Sequence, residues 1–233
     1  MNFSLKDLER LQGRPVVRAA MRRELIRDGV ATYGEFVDQL YEDIDAVIFN
    51  MQSAPELRQN DCEDRLSGDI LHGLRQQGYK GYPDVKSGGH VDLTIELGPY
   101  TWFGEAKKDG NFDQGLLQLM SRYRPASGNF SHDQGGLIFY MVATPKARDV
   151  LNKWLAKLHR MGLNPWSCCK NRLAGFSVHE NDATGMRVTV RTMAVALYFK
   201  PQDTSGLKTV KRKAAKAAKA SPSVEGHEGP TIN

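Results

Sequence analysis

Gly89-His90-Val91-Asp92-Leu93-Thr94-Ile95-Glu96-Leu97-Gly98-Pro99-Tyr100-Thr101-Trp102-Phe103-Gly104-Glu105-Ala106-Lys107 is the stretch on which the fold turns. Val91, Leu93 and Ile95 alternate with Asp92, Thr94 and Glu96, the period of a strand over His90 to Leu97. Gly98-Pro99 is a tight turn, so the next strand, Tyr100 to Lys107, is expected to return antiparallel to the first. Trp102, Gly104 and Ala106 then share one face, and Phe103, Glu105 and Lys107 the other. Aromatic residues on both faces predict a strand covered on both sides.

The segments around this hairpin alternate between helix and strand. Upstream, Leu66, Ile70 and Leu74 form one stripe of a helix that Asp61 can cap and Gly78 stops. A strand is expected over Tyr79 to Val85. Downstream, Phe112 to Tyr123 reads as a helix, Gly136 to Ala143 as a buried strand, and Lys146 to Met161 as a helix opened by Pro145. Gly175 to His179 and Arg187 to Phe199 close the series as strands. The order predicts an α/β fold, a central mixed β-sheet flanked by helices.

The first 59 residues carry no strand signal. A segment over Val16 to Asp28 is rich in Arg, and Phe36, Val37, Leu40, Tyr41, Ile44, Val47 and Ile48 recur at helical spacing over 33–50. Residues 1–59 are therefore expected to be an N-terminal helical extension packed on a main domain over 60–200. Residues 201–233 are expected to be a flexible basic tail. Formal net charge over the 233 residues is +5, and six basic residues with no acidic one fall between Lys208 and Ala220. The body is thus close to neutral. Lys211, Arg212 and Lys213 head a cationic stretch suited to phosphate backbones, or equally to a solubilising terminus. No apolar run approaches the roughly 20 residues of a membrane span, and Met1 to Arg10 lacks an apolar targeting core. Three cysteines, two of them adjacent, make no disulfide framework and favour a reducing, cytoplasmic setting.

Chemistry concentrates on the hairpin. Glu105 and Lys107 point the same way, about 6.5–7 Å apart along the strand, and Asp92 lies one strand over. Two carboxylates there can hold a divalent metal through hard oxygen ligands. The lysine could orient an attacking water, deprotonate it if its pKa is lowered, or stabilise charge developing on a phosphate. Glu63 lies on the stripe of Leu66 and Ile70, where a carboxylate is costly unless it meets a metal or another cation.

These residues resemble the PD-(D/E)XK nuclease superfamily, the restriction-endonuclease-like fold. The likeness covers roughly residues 60 to 145. It comprises Glu63 in the preceding helix, Asp92 in a strand, Glu105-Ala106-Lys107 in the next, and a following helix with Gln118, as in branches similar to the RecB nuclease. Two positions depart from the family pattern: Val91 stands where proline is expected, and Arg122 where the helix tyrosine is expected, with Tyr123 one further on.

The resemblance implies a metal-dependent endonuclease that uses Mg2+ or Mn2+, acting on DNA before RNA. Asp92, Glu105, Glu63 and the Ala106 carbonyl correspond to metal ligands, Lys107 to the water-positioning lysine, and Gln118 to a substrate- or site-contacting glutamine. Lys108 and Arg122 flank the expected cleft and could guide a backbone. A bacterial defence or mobile-element effector, acting as a homodimer or larger assembly, fits such a small nuclease. The alternative is a catalytically inactive nucleic-acid-binding module of the same fold.

Overall fold

The computed structural model describes residues 13–83, 85–86, 90–122, 133–181 and 184–201, with backbone only at 85, 86, 90 and 122. Helix α1 (Pro15–Arg27) opens on a proline and buries Ile26. Helix α2 (Tyr33–Gln52) begins with a reciprocal cap: the Thr32 hydroxyl accepts from the Glu35 N–H, and the Glu35 carboxylate accepts from the Thr32 N–H at 2.8 Å. Its inner stripe is the expected one, from Phe36 and Leu40 through Ile44 to Ile48, extended by Met51. A 3₁₀ turn (Pro55–Arg58) leads to α3 (Glu63–Arg75), which buries Leu66, Ile70 and Leu74. Its N-cap is Cys62, with no side-chain cap bond, and not Asp61 as the sequence suggests. The Asp61 carboxylate instead accepts from Arg58 at 3.3 Å.

The strands are β1 (Lys80–Tyr82), β2 (Val85–Lys86), β3 (His90–Val91), β4 (Leu93–Leu97) and β5 (Tyr100–Lys108). After α4 (Phe112–Arg122) and β6 (Gln134–Met141) come α5 (Ala147–Arg160), β7 (Trp166–Ser167), β8 (Ala174–Glu180) and β9 (Arg187–Ala196). Seven strands form one sheet in the order β1-β4-β5-β6-β9-β8-β7. Pairs β5–β6 and β6–β9 are parallel, while β1–β4, β4–β5, β8–β9 and β7–β8 are antiparallel. The sheet is mixed, with helices on both faces.

The hairpin turn lies where Gly98-Pro99 places it, with Leu97 opposite Tyr100. Gly98 has a φ of 58°, and a Cβ there would stand 2.5 Å from the Ile26 carbonyl oxygen and 2.6 Å from that of Arg27. Glycine is required on both counts, because the end of α1 rests on the turn.

Two hydrophobic layers sandwich the sheet. On one face Trp102, Ala106, Ile138, Tyr140, Met193 and Val195 pack with the stripes of α2 and α3. On the other, Leu137, Phe139, Met141, Val188 and Val190 pack with Leu116 and Leu119 of α4 and with Leu151, Trp154 and Leu158 of α5. The N-terminal helices therefore form one wall of the main core.

Two expectations change, and one strand was not foreseen. The single strand read over His90 to Leu97 is broken at Asp92, and its first two residues pair with Val85–Lys86 in a separate ribbon. The strand read over Tyr79 to Val85 pairs with β4 only over Lys80 to Tyr82. The short β7 has no alternation that could announce it.

Candidate active site

The site is built on a strand edge that its neighbour abandons. β4 pairs with β5 from Leu97–Tyr100 to Leu93–Gly104 and then ends, whereas β5 continues to Lys108 with β6 on its other side. Beyond Gly104 the ladder groups on the β4 side meet no strand among the described residues, and backbone donors left without partners are costly. Acidic side chains take them. The Ala106 N–H donates to Asp92 Oδ2 at 2.9 Å, and the Lys108 N–H donates to Glu63 Oε2 at 2.6 Å. This explains the break at Asp92: there the side chain, not the backbone, partners β5.

Lys107 completes the cluster. Its Nζ donates to Glu105 Oε1 at 2.9 Å, to the Ala106 carbonyl at 2.7 Å and to Glu63 Oε1 at 3.4 Å. It also lies 3.6 Å from Asp92 Oδ2. Three carboxylates, from α3, from the break between β3 and β4, and from β5, thus surround one ammonium. The Glu105 residue is 2% exposed, a burial tolerable for a carboxylate only beside such a cation. Burial pulls the Lys107 pKa down, but the hydrogen bond and charge of Glu105, then the charges of Asp92 and Glu63, outweigh it and raise it above the ordinary lysine value. In this arrangement Lys107 is an ammonium through neutral pH. Of the roles open from sequence, those of orienting water and stabilising phosphate charge fit; proton abstraction by a neutral amine does not.

Helix α4 covers the lysine stem. A Cβ on Gly115 would lie 2.9 Å from Lys107 Cγ, so the absence of a side chain at that helical position lets α4 approach. Gln118, one turn further along α4, is half-buried, and its Oε1 is buried with no hydrogen-bond partner. Lys108 donates its ammonium to the Asp61 carbonyl at 2.7 Å, tying the end of β5 to the loop before α3. Arg122 closes α4, its side chain lying outside the described residues together with Lys211, Arg212 and Lys213.

Sequence reasoning missed two contributors. Gly115 is an unremarkable helical glycine until the lysine beneath it is located. Asp109, at a φ of 52°, accepts the N–H groups of Ala143 (2.9 Å) and Thr144 (3.0 Å), strapping the end of β5 to the connection between β6 and α5. The composition Asp109-Gly110-Asn111 signals a turn there but not the strap.

Among the described residues, no three His, Cys, Asp or Glu side chains are grouped so as to hold a metal ion. The acids of the cluster are spaced around an ammonium group. As a donor set they are hard carboxylate oxygens of net negative charge, the kind that suits Mg2+ or Mn2+. Comparison with protein-family models, with curated proteins and with solved structures gives no match to this chain.

Proposed function

We propose that the chain is a metal-dependent nuclease of the PD-(D/E)XK type, hydrolysing phosphodiester bonds of DNA in preference to RNA. The observation that carries this reading is the convergence of Glu63, Asp92 and Glu105 on Lys107 Nζ at the open edge of β5. Glu63, Asp92, Glu105 and the Ala106 carbonyl would hold Mg2+ or Mn2+. Such an ion supplies Lewis acidity toward the phosphate and a bound water of lowered pKa. The protein's own groups supply the rest. Lys107, held as an ammonium, orients the attacking water and offsets charge gathering on the phosphate. Gln118 brings an unspent acceptor to the same side of the sheet, suited to a substrate or water N–H or O–H. The basic stretch around Lys211, Arg212 and Lys213 would hold phosphates without reading bases. A cytoplasmic effector of defence or of a mobile element, working as a homodimer or larger assembly, is the setting we propose.

A second reading, a nucleic-acid-binding module without catalysis, draws support from Lys107 Nζ already occupying the space between Glu63, Asp92 and Glu105. The two separate in one assay. Linear, circular and single-stranded DNA, and RNA, are incubated with wild type, Glu105→Ala and Lys107→Ala in Mg2+, in Mn2+ and in chelator. The nuclease cuts only as wild type and only with metal. The module retains DNA equally in all three forms and cuts with none, which would overturn the nuclease reading.

A further inference from the structure

We propose that the Lys107 ammonium is the resident counter-cation of the Glu63–Asp92–Glu105 cluster, and that a divalent cation gains these carboxylates by exchanging with it. The inference rests on the metal-dependent reading above and adds how its site is kept closed before metal arrives.

Spacing is the first support. Lys107 Nζ stands 2.9, 3.4 and 3.6 Å from oxygens of Glu105, Glu63 and Asp92. Mg2+ takes its oxygens at about 2.0–2.1 Å, so a cluster set for an ammonium is too wide for the ion while the ammonium stays.

Charge is the second support. The Lys107 ammonium is drawn to three carboxylates at once, and a cation of higher charge is drawn to the same oxygens more strongly. Two cations sharing the same oxygens would repel, so entry of one favours departure of the other.

The third support is mechanical. The lysine stem is held at Cγ beneath Gly115, but the bonds beyond it carry Nζ. A swing of those outer bonds would release Glu63, Asp92, Glu105 and the Ala106 carbonyl together, since all four face the same nitrogen. The swing also leaves Lys107 tethered beside the site, where its role toward water and phosphate requires it. Metal binding and lysine release are then one equilibrium.

The test measures Mn2+ binding to the full chain without substrate, by the loss of the free-ion EPR signal, for wild type, Lys107→Met and Glu105→Gln. Exchange predicts that Lys107→Met binds Mn2+ at least tenfold more tightly than wild type although it cannot cut DNA, and that Glu105→Gln binds more weakly. If Lys107→Met fails to fold, Lys107→Gln, which is uncharged and keeps the first two methylenes of the stem, takes its place. In wild type, the Lys107 side-chain NMR signal, assigned by its loss in the variant, should shift as Mg2+ saturates the site. Wild type that cuts DNA and binds Mn2+ no more weakly than the variant overturns the exchange and leaves the nuclease reading standing. So does a Lys107 signal unmoved at saturation. Absence of Mn2+ binding in every form, with no cutting, overturns both.

Discussion

Among the described residues, carboxylates are buried in two places, and their surroundings differ. Asp43 on α2, 5% exposed, is one acid among donors: Arg23 Nη1 at 2.8 and 3.0 Å, Gln39 Nε2 at 3.1 Å and the Tyr79 hydroxyl at 2.7 Å. Burial, then the Asp43 charge and hydrogen bond, drive the Tyr79 pKa well above its ordinary value, so the phenol remains a donor. Charge is matched one to one, and the network ties α1, α2 and the start of β1 together. The Lys107 cluster inverts this, with one cation among three acids and two of the acids satisfying orphaned backbone N–H groups. Matched burial stabilises a fold. In the Lys107 cluster only Glu105 is deeply buried, while the Glu63 and Asp92 side chains stay 32% and 27% exposed at the edge of β5.

The largest effect that separates the two follows from Glu105→Gln. The cluster keeps a hydrogen-bonding side chain and loses one negative charge, so cleavage should fall by at least about 10³-fold while the urea midpoint barely moves. A large loss of stability with cleavage retained would place Glu105 with Asp43 as a structural acid. Asp43→Ala should do the reverse, costing about 3–5 kcal/mol in urea unfolding because Arg23 is left without its partner, with metal-dependent cutting intact in whatever remains folded.

A third buried group tests charge without any counter-charge. His179, 7% exposed and 2.7 Å from the Ser177 hydroxyl, has its pKa pushed down to about 4 by burial. The unfolded chain takes up the proton near 6.5, so the stability from keeping this ring neutral is complete above that pH. It is lost as pH falls toward 4, up to about 3 kcal/mol in all. Urea titrations of wild type and His179→Gln across this range should show the shallower slope in the variant, and equal slopes would count against the burial argument. The smallest effect belongs to Gly115→Ala. Alanine gains up to about 1 kcal/mol in helix propensity, yet its Cβ would meet the Lys107 stem. Thermal stability should change little while cutting drops roughly tenfold; cutting at the wild-type rate would mean that the lysine shifts freely.

The sheet was readable because alternation over Leu93–Leu97 and Tyr100–Lys108 is a local consequence of strand geometry, and Gly98-Pro99 fixes the register. That Asp92, Glu105 and Lys107 lie close together was readable for the same reason, since β4 ends alongside Gly104 with Asp92 next in line. Their exact duties were not. Asp92 continues the alternating pattern while structurally ending the strand, because a carboxylate competes with a backbone carbonyl for the Ala106 N–H only once the edge is open. Asp61 has the composition of a cap, but Arg58 engages its carboxylate and Cys62 takes the cap position. The direction of the Lys107 ammonium likewise depends on a helix and strand brought together by tertiary packing, which no local window contains.

The contact between Gly98 and the last carbonyls of α1 bears on how the chain could be dissected. Cutting away everything before residue 60 would strip the seat from under the turn and bare the sheet face that Phe36, Leu40 and Ile44 now cover. The limb bearing Glu105 and Lys107 would lose that support, so the helices at the front of the chain are as much a part of this edge as the acids that line it.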